Sequence, residues 1–131
     1  MNKKILVLAS VLGLISIVLG AFGAHGLKQL MSIEAMATFE VGVRYQMYHA
    51  LLLLFVGNTT VLKTKTKRII FYLVLIGILF FSGSIYALAT NTLSAFDFKV
   101  IGFITPIGGL LLILAWLFML LDVLKANYIS E

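Results

Sequence analysis

The chain has 131 residues, of which 62% are hydrophobic and 11% are charged, and its mean hydropathy is +1.13. A soluble domain is about half apolar and a quarter charged, so this composition excludes an ordinary water-soluble protein and indicates a protein that lies in a membrane. The chain has no cysteine and one proline, and neither a disulfide scaffold nor a β-barrel is supported by its pattern.

Four stretches are long and apolar enough to span a bilayer, which takes about 20 helical residues. They run from Ile5 to Ala24, from about Tyr45 to Leu62, from Ile69 to Thr90 and from Val100 to Leu124. They predict an all-α, multi-pass membrane protein in which residues 1–131 form a single four-helix transmembrane domain. The first stretch could also be a cleavable signal peptide, but its apolar run of about 18 residues exceeds the usual length of roughly 7 to 15. We therefore interpret it as a retained span.

Basic residues are distributed unevenly between the ends of these spans. One side of the membrane would hold three of them, Lys28, Arg44 and Lys99, and the other would hold seven: Lys3, Lys4, Lys63, Lys65, Lys67, Arg68 and Lys125. The positive-inside rule therefore predicts that both termini and the "KTKTKR" loop are cytoplasmic. The net charge of +5 does not indicate a nucleic-acid partner, because a basic loop beside a bilayer is more typical of a topology signal.

Small residues form a stripe along the first span, at steps of four, three, four and three. In lipid, small faces mark helix packing because they let two backbones approach closely. A unit of four helices cannot bury every such face, which favours a homo-oligomer. The residues assigned to helix packing are Gly13, Gly20, Gly23, Gly83, Pro106 and Gly109.

The stretch "GAFGAHGL" ends this span and contains His25. Gly26 is suited to the left-handed conformation that follows many helices, and a histidine suits the carboxyl end of a helix dipole. His25 is therefore interpreted first as a helix-end residue and second as a ligand-binding residue.

The segment before the second span has helical periodicity, and Ser32 with Glu34 supplies an amino-terminal signal. A helix continued from there to Leu62 has about 30 residues, or roughly 45 Å. It is longer than the hydrocarbon core is thick, so an amphipathic outer extension should precede the second span. Within this helix, Arg44 has Glu40 one turn away. His49 is expected about 6 Å inside the bilayer, at 1.5 Å per residue, and intramembrane ionisable residues are functional candidates.

Polar residues of all four spans fall in the half of the membrane remote from the "KTKTKR" loop. Pro106 would kink the fourth span there and widen it, and the two histidines should lie near each other in a shared cavity. Each candidate also has a structural interpretation, as a buried hydrogen-bonding group, an interfacial aromatic residue or a hydroxyl bonded to its own helix. The ligand-binding candidates are His25, Arg44, Tyr45, His49, Ser84, Tyr86 and Thr105.

Neither a metal site nor a cofactor is predicted. Zinc sites use three or four ligands, whereas this chain offers two histidines, no cysteine and, at ligand spacing, only Glu40. A serine nucleophile would lack a clear acid to orient its histidine.

Four blocks, taken in order, resemble the bacterial inner-membrane family known as domain of unknown function 423, of the YwdK and YgdD type. They are "GAFGAHGL", "RYQMYHALLLL", "FFSGSIYAL" and "TPIGGLLLILAW". The resemblance spans all four helices. It implies a small four-span protein of the bacterial cytoplasmic membrane and no established activity.

Three classes of function remain open at this point. The leading hypothesis is a protein that binds or passes a small molecule, an ion or a lipid headgroup through the polar cavity. The second is a structural or interaction protein without a ligand, surrounded by membrane lipid. The third, an intramembrane enzyme that uses His49 and Arg44, is the weakest, and we expect no enzymatic activity.

Overall fold

A computed structural model of the chain describes residues 1–91 and 102–127. Lys99 and the predicted start of the fourth span at Val100 lie outside the described residues. Within the described ranges the chain is helical between short connections and contains no strand. Its α-helices are α1 (Asn2–Phe22), α2 (Ile33–Asn58), α3 (Thr64–Ala89) and α4 (Ile104–Lys125).

Three of these helices are long and apolar enough to cross a membrane: α1 with the turn that follows it, α3 and α4. The helix α2 is as long as α3, at 26 residues, but it is less apolar and carries Glu34, Glu40 and Arg44 along its first half. The all-helical membrane fold is therefore confirmed, and α2 differs from the other three helices in composition.

The "GAFGAHGL" stretch continues the first helix instead of ending it. After α1 the backbone widens into a π-helical turn, Gly23–Leu27. No described glycine has a positive φ, so Gly26 does not adopt the left-handed conformation expected of it. The turn closes at Leu27, whose carbonyl oxygen accepts from the amides of Leu30 and Met31 at 2.9 and 3.1 Å.

The helix α2 begins where the sequence predicts and ends earlier. The Ser32 side chain accepts a hydrogen bond from the amide of Ala35 at 3.1 Å, which caps the first turn. At the other end, Thr59 is extended, with ψ of 146°, so the helix stops at Asn58, four residues before Leu62. The helix is therefore about 39 Å long, at 1.5 Å per residue.

The helices pack in chain order, α1 on α2, α2 on α3 and α3 on α4, while α1 and α3 meet only marginally. Consecutive helices are antiparallel. A Cβ on Gly13 would lie 3.9 Å from Ala50, and one on Gly20 would lie 3.6 Å from Val43. This register gathers the starts of α1 and α3 and the ends of α2 and α4 at one end of the molecule, which we call the basic end. The opposite end is called the distal end.

Glycines allow the closest approaches between helices, although not always those the sequence indicates. A Cβ on Gly108 would lie 2.3 Å from the Phe81 backbone nitrogen, whereas one on Gly109 would lie 3.5 Å from the Phe81 ring. Gly23 lies against Met36 and Phe39 of α2. Gly83 is exposed and has no neighbour within 4 Å. The backbone crossing of α3 and α4 is therefore at Gly108.

Pro106 does not interrupt a helix. Since α4 begins at Ile104, Pro106 is its third residue, and the amides of a helix's first turn have no intrahelical acceptor. Its missing N–H therefore removes no hydrogen bond, and the kink expected in the fourth span has no cause. Pro106 is exposed.

Candidate functional site in the centre of the bundle

The amide of Gln46 connects three helices at mid-length. Its Nε2 donates to the Leu12 carbonyl oxygen of α1 at 2.9 Å, and its Oε1 accepts from the Tyr86 hydroxyl of α3 at 2.7 Å. Gln46 is buried, with 3% of its surface exposed. The same Leu12 carbonyl oxygen also accepts from the Ser16 hydroxyl at 2.8 Å. Gln46 is thus held on both sides by groups of this chain.

His49 lies one turn further along α2 and connects it to α4. Its Nδ1 is 2.7 Å from the Tyr45 carbonyl oxygen, and its Nε2 is 3.1 Å from the indole nitrogen of Trp116. The indole N–H can only donate, so Nε2 accepts and Nδ1 carries the proton that goes to the carbonyl. Both ring nitrogens of this neutral imidazole are therefore engaged within the chain.

His49 lies in the second half of α2. It lies about 16 residues from the first residue of α2, or roughly 24 Å from the distal end at 1.5 Å per residue. It is past the middle of the helix toward the basic end and four residues beyond Tyr45, where the predicted second span begins, so its depth of about 6 Å in the bilayer stays a prediction. Its ring is 4% exposed, and it does not line any of the five grooves measured on the described part of the chain.

Two serines of α3 add polar contacts to the neighbouring helices α2 and α4. Ser82 donates to the Gly42 carbonyl oxygen of α2 at 2.8 Å. Ser84 contacts the Thr105 hydroxyl of α4 at 2.5 Å and also bonds to the carbonyl oxygen of Phe80 in its own helix. We call the side chains of Gln46, His49, Ser82, Ser84, Tyr86, Thr105 and Trp116 the central polar layer.

His25 and Arg44 lie apart from this layer. His25 is exposed in the π-helical turn. The α1–α2 register places it level with about position 38, so it is roughly 16 Å along the axis from His49. The structure therefore does not bring the two histidines together.

Arg44 lies on the surface of α2 toward the distal end. It is exposed and lines a groove of about 240 Å³ with Glu40, Gly20 and Val43. A neighbouring groove of about 300 Å³ is lined by Glu40 and Lys28. The aromatic ring of Tyr45 is 40% exposed and packs on Phe81, with 5.1 Å between ring centroids.

The basic end contains a second set of buried polar groups. Asp122 is 8% exposed, and its carboxylate accepts from the Lys63 amide at the start of α3 at 2.8 Å. Lys67 is 6% exposed and donates to the Thr59 carbonyl oxygen at the end of α2 and to Asn2 Oδ1. An anion at a helix start and a cation at a helix end are both favoured by the helix dipole. Lys67 is thus a buried connection between helices rather than a solvated loop charge.

Among the residues that the structure describes, no group of three or more His, Cys, Asp or Glu side chains could hold a metal ion. In the same residues, no buried side-chain nitrogen or oxygen lacks a hydrogen-bond partner. The central polar layer can therefore tie helices together through its existing contacts, and a ligand that bound it would have to displace one of them.

Sequence reasoning identified His49, Ser84, Tyr86 and Thr105 but missed Gln46 and Trp116. A signal for Gln46 was present, because residues three apart share a helix face and Gln46 precedes His49 by three. Trp116 carried no comparable signal, since an indole within an apolar span is also typical of contact with lipid.

The fold and its polar layer define the class of this molecule: a small, multi-pass α-helical membrane protein. The chain belongs to the family described as protein of unknown function (DUF423), whose model matches residues 19–109. This confirms the resemblance carried by the four sequence blocks.

The relatives of the chain are bacterial membrane proteins. It is 37% identical over 123 residues to a UPF0382 membrane protein of Staphylococcus haemolyticus, covering 94% of this chain and 97% of that one. It is 34% identical to the UPF0382 membrane protein YwdK of Bacillus subtilis, covering 94% and 98%. It is 33% identical to the UPF0382 inner membrane protein YgdD of Escherichia coli, covering 95% and 92%. No solved structure matches the chain.

Proposed function

We propose that this protein is a four-span structural or interaction protein of the bacterial cytoplasmic membrane that forms a homo-oligomer and works by association, without passing a ligand through its centre. The observation that carries the proposal is the closed hydrogen bonding of the central polar layer. Gln46 and His49, its two most polar members, each have both sides of the side chain engaged by other helices or by their own backbone. Since every buried side-chain nitrogen and oxygen of the described residues already has a partner, a ligand would have to displace one of these hydrogen bonds.

The proposal treats α2 as the fourth span. Its acidic and basic side chains lie in the distal half, whereas the part from Gln46 to Asn58 carries no formal charge. That part packs against both α1 and α3, and polar groups inside a membrane are accommodated when they face the bundle. The charged half would then lie at the distal membrane surface.

Both termini are cytoplasmic in this proposal. The antiparallel packing brings Lys3, Lys4, Lys63, Lys65 and Lys125 to the same end, and a strong excess of basic residues is typical of the cytoplasmic side.

Homo-oligomerisation is supported by the packing of the helices in chain order, which leaves α1 and α4 each with one main neighbour. Large apolar side chains are exposed along α1 and α4, such as Leu14 and Ile17 on the first and Ile113 and Leu117 on the second. These helices lie at the two edges of the packing order, so each offers a face to a second copy or to another membrane protein.

Flux through proteoliposomes tests the absence of a central passage. Vesicles that contain the purified protein should leak protons, potassium and glycerol no faster than empty vesicles of the same lipid. The proposal is contradicted if the protein accelerates any of these fluxes and His49→Leu abolishes the effect while Leu51→Ile, at an exposed apolar position of α2, preserves it.

Single cysteines test association, because the chain has no cysteine of its own. Ile17→Cys or Ile113→Cys, placed in the two edge faces, should form disulfide-linked dimers in membranes under mild oxidation. A cysteine at the buried Val74 is the matched control and should not. If neither edge cysteine cross-links, and the purified protein has the mass of one chain in native mass spectrometry, association between copies is refuted.

A binding function at the distal end is the second candidate. The groove that contains Arg44 and Glu40 favours it, since an exposed cation and a carboxylate beside an apolar wall could hold a small zwitterionic molecule. Thermal stabilisation of the wild-type protein by a zwitterionic amino acid, lost in Arg44→Gln, would support this function. If the amino acid stabilises both proteins equally, binding at this groove is refuted.

An enzymatic function is the least supported. His49, which the sequence offers as a general acid or base, would have to break its hydrogen bond to Trp116 or Tyr45 before it could exchange a proton with a substrate. The residue named as its catalytic partner, Arg44, is exposed on the surface of α2, while His49 is buried.

A further inference from the structure

We infer that the surface between α3 and α4 at the basic end binds an anionic phospholipid. Two grooves adjoin there. One, of about 320 Å³, is lined by apolar residues and Arg68, and the other, of about 260 Å³, is lined by lysines together with Asp122 and apolar side chains. Ile69 lines both, so the two form a single track, which we call the α3–α4 groove.

The length of this groove matches one leaflet of a bilayer. On α3 it runs from Lys65 to Ile76, a rise of about 16 Å at 1.5 Å per residue. Half of a hydrocarbon core about 30 Å thick is roughly 15 Å. A lipid whose headgroup lies at Lys65 would therefore have its acyl chain against Ile69, Tyr72 and Ile76 as far as the midplane.

The chemistry of the groove changes along its length as a phospholipid requires. Toward the midplane its lining is apolar, with Tyr72, Ile76 and Leu111. At the basic end the side chains of Lys65 and Lys125 are exposed on either side of it. Clusters of lysine and arginine at the cytoplasmic surface attract anionic headgroups.

The one carboxylate in the groove does not cancel this attraction. Asp122 is buried and already accepts from the Lys63 amide, and its other oxygen lies 3.8 Å from the Lys63 ammonium. An approaching phosphate would therefore meet the exposed ammonium groups of Lys65 and Lys125 first. The apolar lining of the groove, which includes Phe118 and Leu121 beside the lysines, places its occupant within the bilayer and favours a lipid over a soluble anion.

A fluorescence quenching experiment tests this assignment. Because Trp116 is the only tryptophan, a protein with Trp116→Phe and Tyr72→Trp carries one reporter, in the groove. It is reconstituted in phosphatidylcholine vesicles with rising fractions of brominated phosphatidylglycerol or, in parallel, brominated phosphatidylcholine. At low mole fraction, phosphatidylglycerol should quench the reporter several-fold more strongly. The pair Lys65→Gln and Lys125→Gln should remove that preference.

Two controls distinguish a specific lipid site from a general attraction of anionic lipid to the basic end. Lys3→Gln with Lys4→Gln removes the same charge from the groove between α1 and α3 and should preserve the preference at Tyr72→Trp. A reporter at Leu51→Trp, an exposed position of α2 outside the groove, should show no preference. The inference is overturned if the two brominated lipids quench the groove reporter equally, if the Lys3 and Lys4 changes abolish the preference, or if the Leu51 reporter shows the same preference.

A second measurement keeps the inference testable if the Trp116→Phe chain does not fold. The otherwise wild-type protein and its Lys65→Gln, Lys125→Gln variant are purified from mixed lipid, and the lipids that copurify are measured by mass spectrometry. The ratio of phosphatidylglycerol to zwitterionic lipid should exceed the ratio in the starting membrane only for the protein that keeps both lysines. An equal ratio in the two proteins refutes the site.

Discussion

Replacing Gly108 by alanine tests whether the packing of α3 on α4 depends on direct contact between backbones. An added Cβ would lie 2.3 Å from the Phe81 nitrogen and 2.8 Å from the carbonyl carbon of Phe80, whereas ordinary contacts begin near 3.4 Å. The helices must therefore separate by about 1.1 Å at this point. Backbone atoms cannot rotate away as the end of a side chain can, so the separation extends to neighbouring contacts such as Gly77 with Leu112.

The size of the effect follows from two opposing contributions. Overpacking costs about 1–3 kcal/mol, and the backbone contact places Gly108→Ala near the upper value. Alanine recovers about 1 kcal/mol because it is the better helix former. The net loss is about 2 kcal/mol, a factor of roughly 30 in the folding equilibrium constant at 1.4 kcal/mol per tenfold.

The assay is unfolding of the purified protein in mixed micelles by increasing SDS, followed by circular dichroism. Gly109→Ala is the matched control because its Cβ would meet the Phe81 ring at 3.5 Å, an ordinary contact. Gly83→Ala meets nothing within 4 Å. Both controls should equal or exceed the wild type in stability, since they gain helix propensity without a clash. If Gly108→Ala unfolds at the same SDS fraction as Gly109→Ala, the proposed backbone crossing is wrong.

Three further predictions concern the ends and the centre of the bundle. In intact cells, Thr64→Cys should resist a membrane-impermeant thiol reagent while Gln29→Cys reacts, and labelling of position 64 alone would invert the proposed orientation. Lys67→Met should lower the free energy of unfolding by about 1–3 kcal/mol because it removes the hydrogen bond that the buried Lys67 donates to the Thr59 carbonyl oxygen. The control, Lys65→Met at an exposed position, should change the free energy of unfolding by less than about 0.5 kcal/mol. A double-mutant cycle of Gln46→Leu and Tyr86→Phe should give a coupling energy of about 0.6–1.7 kcal/mol in the free energy of unfolding. Additive effects would mean that the hydrogen bond between these two side chains contributes nothing to stability.

The helices were predictable because a bilayer imposes a length on them. An apolar run of about 20 residues has few alternatives to a spanning helix, and the Ser32 cap is a local signal that the structure confirms. The ends of the helices are less strongly determined by the hydrophobic pattern. The helix α2 stops at Asn58, short of the predicted end at Leu62, where Thr59 is extended and its carbonyl oxygen accepts from Lys67. That contact joins residues eight apart and cannot be seen in local periodicity.

The contacts of the polar residues were harder to predict from the sequence than the residues themselves. His49 stood out as an ionisable group in an apolar span, but its contact with Trp116 depends on how α4 is rotated about its axis relative to α2. Each residue step turns a helix by about 100°, so an error of one position moves a side chain to another face. The pair Gly108 and Gly109 illustrates this, since both are small and only one lies at the crossing.

The burial of Lys67 bears on how basic residues are used to infer topology. The positive-inside rule counts charges that remain near the membrane surface, whereas Lys67 is 6% exposed and its ammonium donates to groups of α1 and the end of α2. Taking it out of the count leaves six basic residues against three, so the predicted orientation is unchanged. The basic residues of the loop then have two separable roles: Lys67 joins helix ends, while Lys65 and Arg68 are exposed and contribute to the topology signal. Neutralising the two exposed residues should weaken the topology signal without loss of stability, and neutralising Lys67 should do the reverse.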